Sequence, residues 1–261
     1  MATVTPKTAA RLELFLLAHH DDEVFCAGHL RRALAAGGQV RLLWATAGGL
    51  APARRRIAEG ARVLEALGLP VTAAVDLRLR DQHAVEHVAL IAREVGRLLD
   101  ADSRGQDDRG RDEVVYVPAY EGGHPDHDAV NLAATLAAAA RPGLRVVEFP
   151  LYRRGPIGLA VQPPSPAVGT SRERYAVLPL SAEDLALRRA LARANSSQLA
   201  PSLLPLLALA RCAGRGRAEP ARPLPAHDYT RAPHAGRLLY ELYTPWRFPK
   251  WSAAAARSRG S

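Results

Sequence analysis

The sequence predicts an α/β protein of Rossmann-like architecture, a mostly parallel sheet flanked by helices, followed by C-terminal extensions. Three observations carry this expectation. Short apolar runs alternate with helix-period segments through the first 150 residues, the pattern of repeated βαβ units. Glycine and proline stand where elements should change, as at Gly37-Gly38, Gly68 and Pro142-Gly143. Two clusters of histidine and aspartate, at 18–23 and 123–128, come at the ends of apolar runs, where open α/β sheets keep their chemistry.

The elements follow in order. Residues 12–18, apolar apart from Glu13, form a first strand, and a helix runs through Leu30-Arg31-Arg32-Ala33-Leu34 to Gly37-Gly38. The next strand is 40–45. A helix over 52–67 has Ile57, Ala61, Leu64 and Leu67 near a 3.6-residue period and stops at Gly68. A third strand at 71–77 leads to a helix over 85–99, with Val88, Ile91, Val95, Leu98 and Leu99 on one face. The charged stretch 100–112 is a surface loop. Strand 114–117, an alanine-rich helix over 125–140 closed by Arg141-Pro142-Gly143, and strand 146–149 complete the alternation.

Beyond Pro150 the pattern fades. Residues 156–168 read as a loop leading to a strand-like 175–178. Ser181 and Asp184 have capping-box spacing and open a helix to about Asn195. Residues 201–210 are apolar and cover the sheet edge or form a helix, 211–225 read as a flexible linker, and 257–261 as a disordered tail. Two aromatic segments lie between, at 240–243 and 246–251. The expected organisation is one domain over 1–261, with a catalytic core at about 11–150 and an extension at about 151–261, because some fifty C-terminal residues with few core positions are marginal alone.

Composition narrows the function classes. The formal charge is +9, but the arginines are scattered and form no aromatic-studded basic stripe, so no nucleic-acid partner is expected. No stretch approaches the ~20 apolar residues of a membrane span, and the N-terminus has no signal-peptide pattern, which together point to the cytoplasm. Cys26 and Cys212 form no spacing pattern, and Cys26 reads as a small buried apolar residue. The Ala/Arg/Pro bias suggests a high-GC bacterial genome.

The chemistry lies in the two clusters, Ala18-His19-His20-Asp21-Asp22-Glu23 and Gly123-His124-Pro125-Asp126-His127-Asp128. His19 and Asp22, three apart at a helix start, can grip one ion, and His127 closes the set from the other strand end. Two imidazoles and a carboxylate suit zinc with an open water position. Asp21 is left to accept a proton from metal-activated water, and His124, as an imidazolium, to stabilise an oxyanion or protonate a leaving amine. Each cluster alone also fits a plainer reading, a helix start with Asp in the first turn or Pro at the first helical position. Their pairing at strand ends favours a metal site. Glu23, Asp126 and Asp128 read as helix-start or orienting carboxylates.

The paired motifs resemble the zinc-dependent LmbE-like de-N-acetylases, the family of N-acetylglucosaminyl-phosphatidylinositol deacetylase, whose hallmarks are Ala-His-Pro-Asp-Asp-Glu after the first strand and a later His-x-x-His. The resemblance covers about residues 11–150 and implies zinc on His19, Asp22 and His127, Asp21 as general base and His124 at the tetrahedral intermediate. It further implies that Arg56 and Asp81 contact sugar hydroxyls of an N-acylated amino sugar or glycoside. The chain departs at His20, where the family carries proline, so the turn is expected to loosen or an extra imidazole to stand at the rim. Iron, manganese or cobalt are alternative metals for such donors. A metal-dependent phosphoesterase and a non-catalytic sugar-binding relative are the competing readings. A nucleotide-binding Rossmann protein is disfavoured, because aspartates stand where a pyrophosphate would lie.

Overall fold

The computed structural model describes residues 11–48, 52–101, 112–155, 158–162, 175–198 and 215–259. Strand β1 (Leu12–Leu17) is buried along its whole length and lies between β2 (Gln39–Thr46) and β4 (Glu113–Pro118). With β3 (Ala74–Leu79) and β5 (Arg145–Phe149) these strands run parallel in the order β3-β2-β1-β4-β5. Side chains alternate between two cores. Leu14, Leu16, Leu43, Val115 and Val117 join one face, and Phe15, Leu17, Leu42, Trp44 and Tyr116 the other. A strand covered on both faces favours apolar residues at nearly every position, which is why β1, Glu13 apart, and β4 beyond Glu113 read as near-continuous runs rather than alternating ones.

The helices cover those faces. Helices α1 (Ala27–Ala35) and α2 (Ala53–Leu67) follow β1 and β2, while α3 (Val88–Ala101) and α4 (Pro125–Ala140) follow β3 and β4. Helix α2 ends as expected at Gly68, whose φ of 66° supplies the left-handed cap that residues with a Cβ adopt at a cost. Because β1's successor lies on one side of it and β4 on the other, the strand order reverses between β1 and β4. The loops leaving these two strands therefore open into one crevice.

The C-terminal part differs from the sequence reading in three places. Where the alternation was expected to fade beyond Pro150, β6 (Tyr152–Gly155) pairs antiparallel with β7 (Gly158–Val161), which lies inside the expected loop at 156–168. The expected linker at 211–225 contains β9 (Ala218–Pro223), which pairs antiparallel with β5 and with β8 (Ala176–Pro179) and extends the sheet to seven strands. Its sequence, AEPARP, hides a buried strand because the buried charges are paired. Glu219 binds Arg188 at 2.7 Å and accepts the Gly28 and His29 N–H groups at the start of α1; Arg222 binds Glu148 at 2.7 Å. The third correction is the tail. Helix α5 (Ala182–Ala194) carries the expected Ser181–Asp184 capping box and is followed by the single turn α6 (Ser196–Gln198). Helix α7 (Phe248–Ser258) then takes up Arg257 and Ser258, and Ser258 accepts the Val88 N–H at 2.8 Å. Residues 102–111, 163–174, 199–214 and 260–261 lie outside the described residues, and with them Cys212 and the apolar stretch 201–210. No helix among the described residues is long and apolar enough to cross a membrane.

Candidate active site

The first loop is built on carboxylates turned inward. Asp22 folds back so that its Oδ2 accepts the N–H of Ala18 at 2.8 Å and of His19 at 3.0 Å. The Ala18 carbonyl accepts the N–H and hydroxyl of Thr46 at the end of β2. Asp21 then adopts φ 111°, a conformation that L residues rarely take. Its N–H donates to Glu23 Oε2 at 3.0 Å, and buried Glu23 is itself held by Asn195 Nδ2 at 2.5 Å.

The second loop depends on two glycines. Gly122 has φ 71°, and a Cβ on Gly123 would stand 1.9 Å from the Tyr152 carbonyl oxygen, so only glycine lets β6 cross there. Asp128 reaches back to accept the N–H groups of Glu121 and Gly122, each at 3.1 Å. His124 caps α4, its Nδ1 accepting the Asp126 N–H at 3.2 Å, with Pro125 next in the helix. Asp126 accepts the N–H of Gln82 at 2.7 Å and of Ala84 at 3.0 Å, drawing the loop after β3 onto the same crevice. From α7, the Trp251 indole donates to the Pro125 carbonyl at 3.0 Å.

These loops bring one ligand atom from each of His19, Asp22 and His127 within 4.8 Å of the others, all buried. His127 Nε2 lies 3.2 Å and His19 Nδ1 3.8 Å from Asp22 Oδ1. Ligands about 2 Å from a tetrahedral zinc sit roughly 3.3 Å apart, so the donors need only small shifts to close on an ion. The other edge of His19 faces carboxylates, its Nε2 being 3.3 Å from both Asp81 Oδ1 and Asp126 Oδ2.

The charge pattern asks for a cation. Burial works against a His19 imidazolium, yet the bonds to Asp126, Asp22 and Asp81 outweigh it and hold its pKa well above the ordinary value. Asp22 is buried too, but His127 and His19 hold its carboxyl far below the usual range. Asp81 resists burial in the same way through His19 and falls to about 2. Asp21 moves in the opposite direction, pushed well up by burial and then by the charge of Asp22. These acid groups beside two imidazoles form a site with net negative potential and nitrogen donors, which fits a divalent metal such as zinc.

Three expectations change here. His124 is not an imidazolium: burial, reinforced by the charge of His19, lowers its pKa to about 3. Since its Nδ1 accepts the Asp126 N–H, its proton sits on Nε2, making it a neutral donor. His20 does not stand at the rim but is 1% exposed and stacked on Trp44, with centroids 4.2 Å apart. Arg56, expected to meet substrate, is 1% exposed; its guanidinium donates to the His20 carbonyl, to Glu59 at 2.7 Å and to Ser197 at 3.3 Å. It therefore braces the first loop. Asp81, by contrast, lies at the crevice beside His19 with its side chain 22% exposed.

The sequence reading missed the aromatic wall. Tyr152 stands with its ring centroid 5.4 Å from that of His127, and Tyr243 with its own 6.2 Å from that of His124. The Tyr243 hydroxyl donates to the Gly123 carbonyl at 2.7 Å. No local pattern marks Tyr152, and although Tyr243 ends the aromatic segment 240–243, nothing near it in sequence ties that segment to the site.

Comparison with known proteins agrees with this geometry. The family model for GlcNAc-PI de-N-acetylase, PIG-L, matches residues 14–138. No curated protein matches the chain. Among solved structures, the N,N'-diacetylchitobiose deacetylase of Pyrococcus horikoshii, in complex with an inhibitor, is 16% identical at a TM-score of 0.58, covering 91% of this chain and 88% of its own. Teicoplanin deacetylase in complex with teicoplanin is 19% identical at 0.57, covering 81% and 97%. The zinc-inhibited form of teicoplanin deacetylase is 18% identical at 0.55, covering 81% and 98%. At these identities the structures share the fold. Both histidine–aspartate motifs lie inside the segment 14–138 that matches the PIG-L, GlcNAc-PI de-N-acetylase, family model, at the two strand ends that flank the sheet's reversal.

Proposed function

We propose that this protein is a metal-dependent amidohydrolase that removes the acetyl group from an N-acetylated amino sugar or a conjugate of one. The observation that carries the reading is the convergence of His19, Asp22 and His127 beside a carboxylate with raised basicity and a neutral imidazole donor. The match of residues 14–138 to a de-N-acetylase family model and a fold shared with teicoplanin deacetylase and N,N'-diacetylchitobiose deacetylase support the same class.

His19, Asp22 and His127 would hold zinc, and the bound ion supplies a Lewis acid that polarises the amide carbonyl and acidifies a water. The protein's residues divide the remaining work. Asp21 takes the proton from the attacking water and returns it to the nitrogen as the C–N bond breaks, so acetate and an amine leave with protons balanced. His124 donates its Nε2–H to the oxyanion as charge develops there. In this reading its low pKa suits it to hydrogen bonding, and the acid role passes to Asp21. Asp126 fixes the His124 tautomer through its backbone N–H and supports His19 through its carboxylate. Asp81, with its side chain 22% exposed beside His19, would accept a hydrogen bond from a sugar hydroxyl in this reading.

The test pairs wild type with Asp21→Asn. Zinc content is measured after reconstitution, then amine release from N-acetylglucosamine, N,N'-diacetylchitobiose and N-acetylated glycosides. About one zinc per chain in both proteins, with release by wild type only, is expected. Failure of wild type to retain zinc, or equal release by both proteins, would overturn the assignment.

A further inference from the structure

His20 is where this chain departs from the motif that it resembles, and its surroundings depart with it. The imidazole is stacked on Trp44 of β2, with rings 12° from parallel. Its Nε2 lies 3.2 Å from Asp76 Oδ2 on β3. From α2, Gly60 closes on the ring edge so tightly that a Cβ there would stand 2.7 Å from Cε1 and 2.9 Å from Nδ1. The His20 carbonyl meanwhile accepts from Arg56 of the same helix. The ring thus has three anchors, on two strands and a helix, and its carbonyl a fourth.

What this secures is the next residue. Asp21 at φ 111° is strained, and such a conformation persists only where the surroundings over-determine it. Glu23 fixes the Asp21 N–H from one side. Proline at position 20 would stiffen the turn locally, by locking its own φ. Histidine has no such lock, and here the fixing comes through tertiary contacts instead. Asp22 does not depend on them, because it is tied separately to the Ala18 and His19 N–H groups.

We propose that His20 is a positioning residue for Asp21: docked between Trp44, Asp76 and Gly60, it holds the strained peptide that aims the Asp21 carboxylate. Gly60 is the matching half of the device, since any side chain at that position expels the ring. The inference rests on the reading of Asp21 as general base.

The test is a cycle of His20→Ala, Gly60→Ala and the double variant. It uses the zinc-loaded protein with N,N'-diacetylchitobiose as probe, together with zinc titration and thermal unfolding. His20→Ala is expected to lower kcat by about tenfold or more, since small misplacements of a catalytic group have effects of that size. KM stays within about twofold and zinc affinity within about threefold. Gly60→Ala reproduces the loss when His20 is present and adds none when it is absent. In the His20→Ala background Gly60→Ala instead raises the melting temperature, as alanine for glycine does in an open helix position. Wild-type kcat in His20→Ala, or a Gly60→Ala effect independent of residue 20, would overturn the proposal. If wild type releases no amine from any acetylated sugar, the functional reading fails. The clamp is then judged on unfolding alone, and additivity of the two substitutions there refutes it.

Discussion

Trp251→Ala is expected to unfold the protein far more easily, although the residue lies more than one hundred positions beyond the family-matched segment. Trp251 is fully buried in the core that also contains Val130, Ala134, Tyr120 and Tyr240. A buried indole removes roughly 150–250 Å² from water, which at about 25 cal/mol per Å² is on the order of 4–6 kcal/mol. Trp→Ala substitutions in cores cost about 3–5 kcal/mol, in keeping with that range. For a domain of this size about 4 kcal/mol lowers the melting temperature by roughly 8–16 °C. Trp251→Phe keeps most of the packing and loses the bond to the Pro125 carbonyl, so it should cost about 1–2 kcal/mol. The assay is thermal and urea unfolding of the three proteins with and without zinc. Trp251 holds the first turn of α4, which carries His127, so zinc should stabilise the alanine variant less than wild type. An alanine variant that melts within about 3 °C of wild type would refute the claim that α7 is part of the core.

Two further outcomes follow from single features of the structure. Gly123→Ala places a Cβ 1.9 Å from the Tyr152 carbonyl oxygen, so the loop must move by about 1 Å or more to reach contact distance. Zinc affinity, read by titration, should fall at least about tenfold while the circular dichroism spectrum persists; wild-type affinity would show that the loop yields without moving His127. Burial, and then the charge of Arg32, lower the His29 pKa from 6.5 to about 4. The unfolded chain therefore binds a proton that the folded chain refuses in that window. Stability is constant from this group above about pH 6.5 and falls, by on the order of 3 kcal/mol, as pH drops towards 4. His29→Gln should flatten that part of the melting-temperature profile, and an unchanged profile would remove His29 as the cause.

Much of this protein was legible locally. The near-continuous apolar runs of β1 and β4, the Gly68 stop of α2 and the Ser181–Asp184 cap all act within a few residues, so the sequence carries them directly. The apolar face read for α2 does not hold, because Ile57 and Ala61 are exposed and Arg56, Glu59 and Val63 turn inward. The two motifs announced their own meeting, because strand ends on either side of a reversal in strand order share a crevice. Tertiary structure decided whatever depends on a distant partner. Glu219 and Arg222 look like linker charges until Arg188 and Glu148 neutralise them inside the sheet. Arg56 looks available until Glu59, Ser197 and the His20 carbonyl consume its donors. His20 becomes a wedge because Trp44, Gly60 and Asp76 leave a slot for it, and His124 is neutral because burial and His19 make it so. Periodicity and capping are short-range properties of a chain, whereas burial and the pairing of charges belong to the folded assembly of its segments. The sequence alone therefore determined where the chemistry sits, and only the fold decided which side chains are free to perform it.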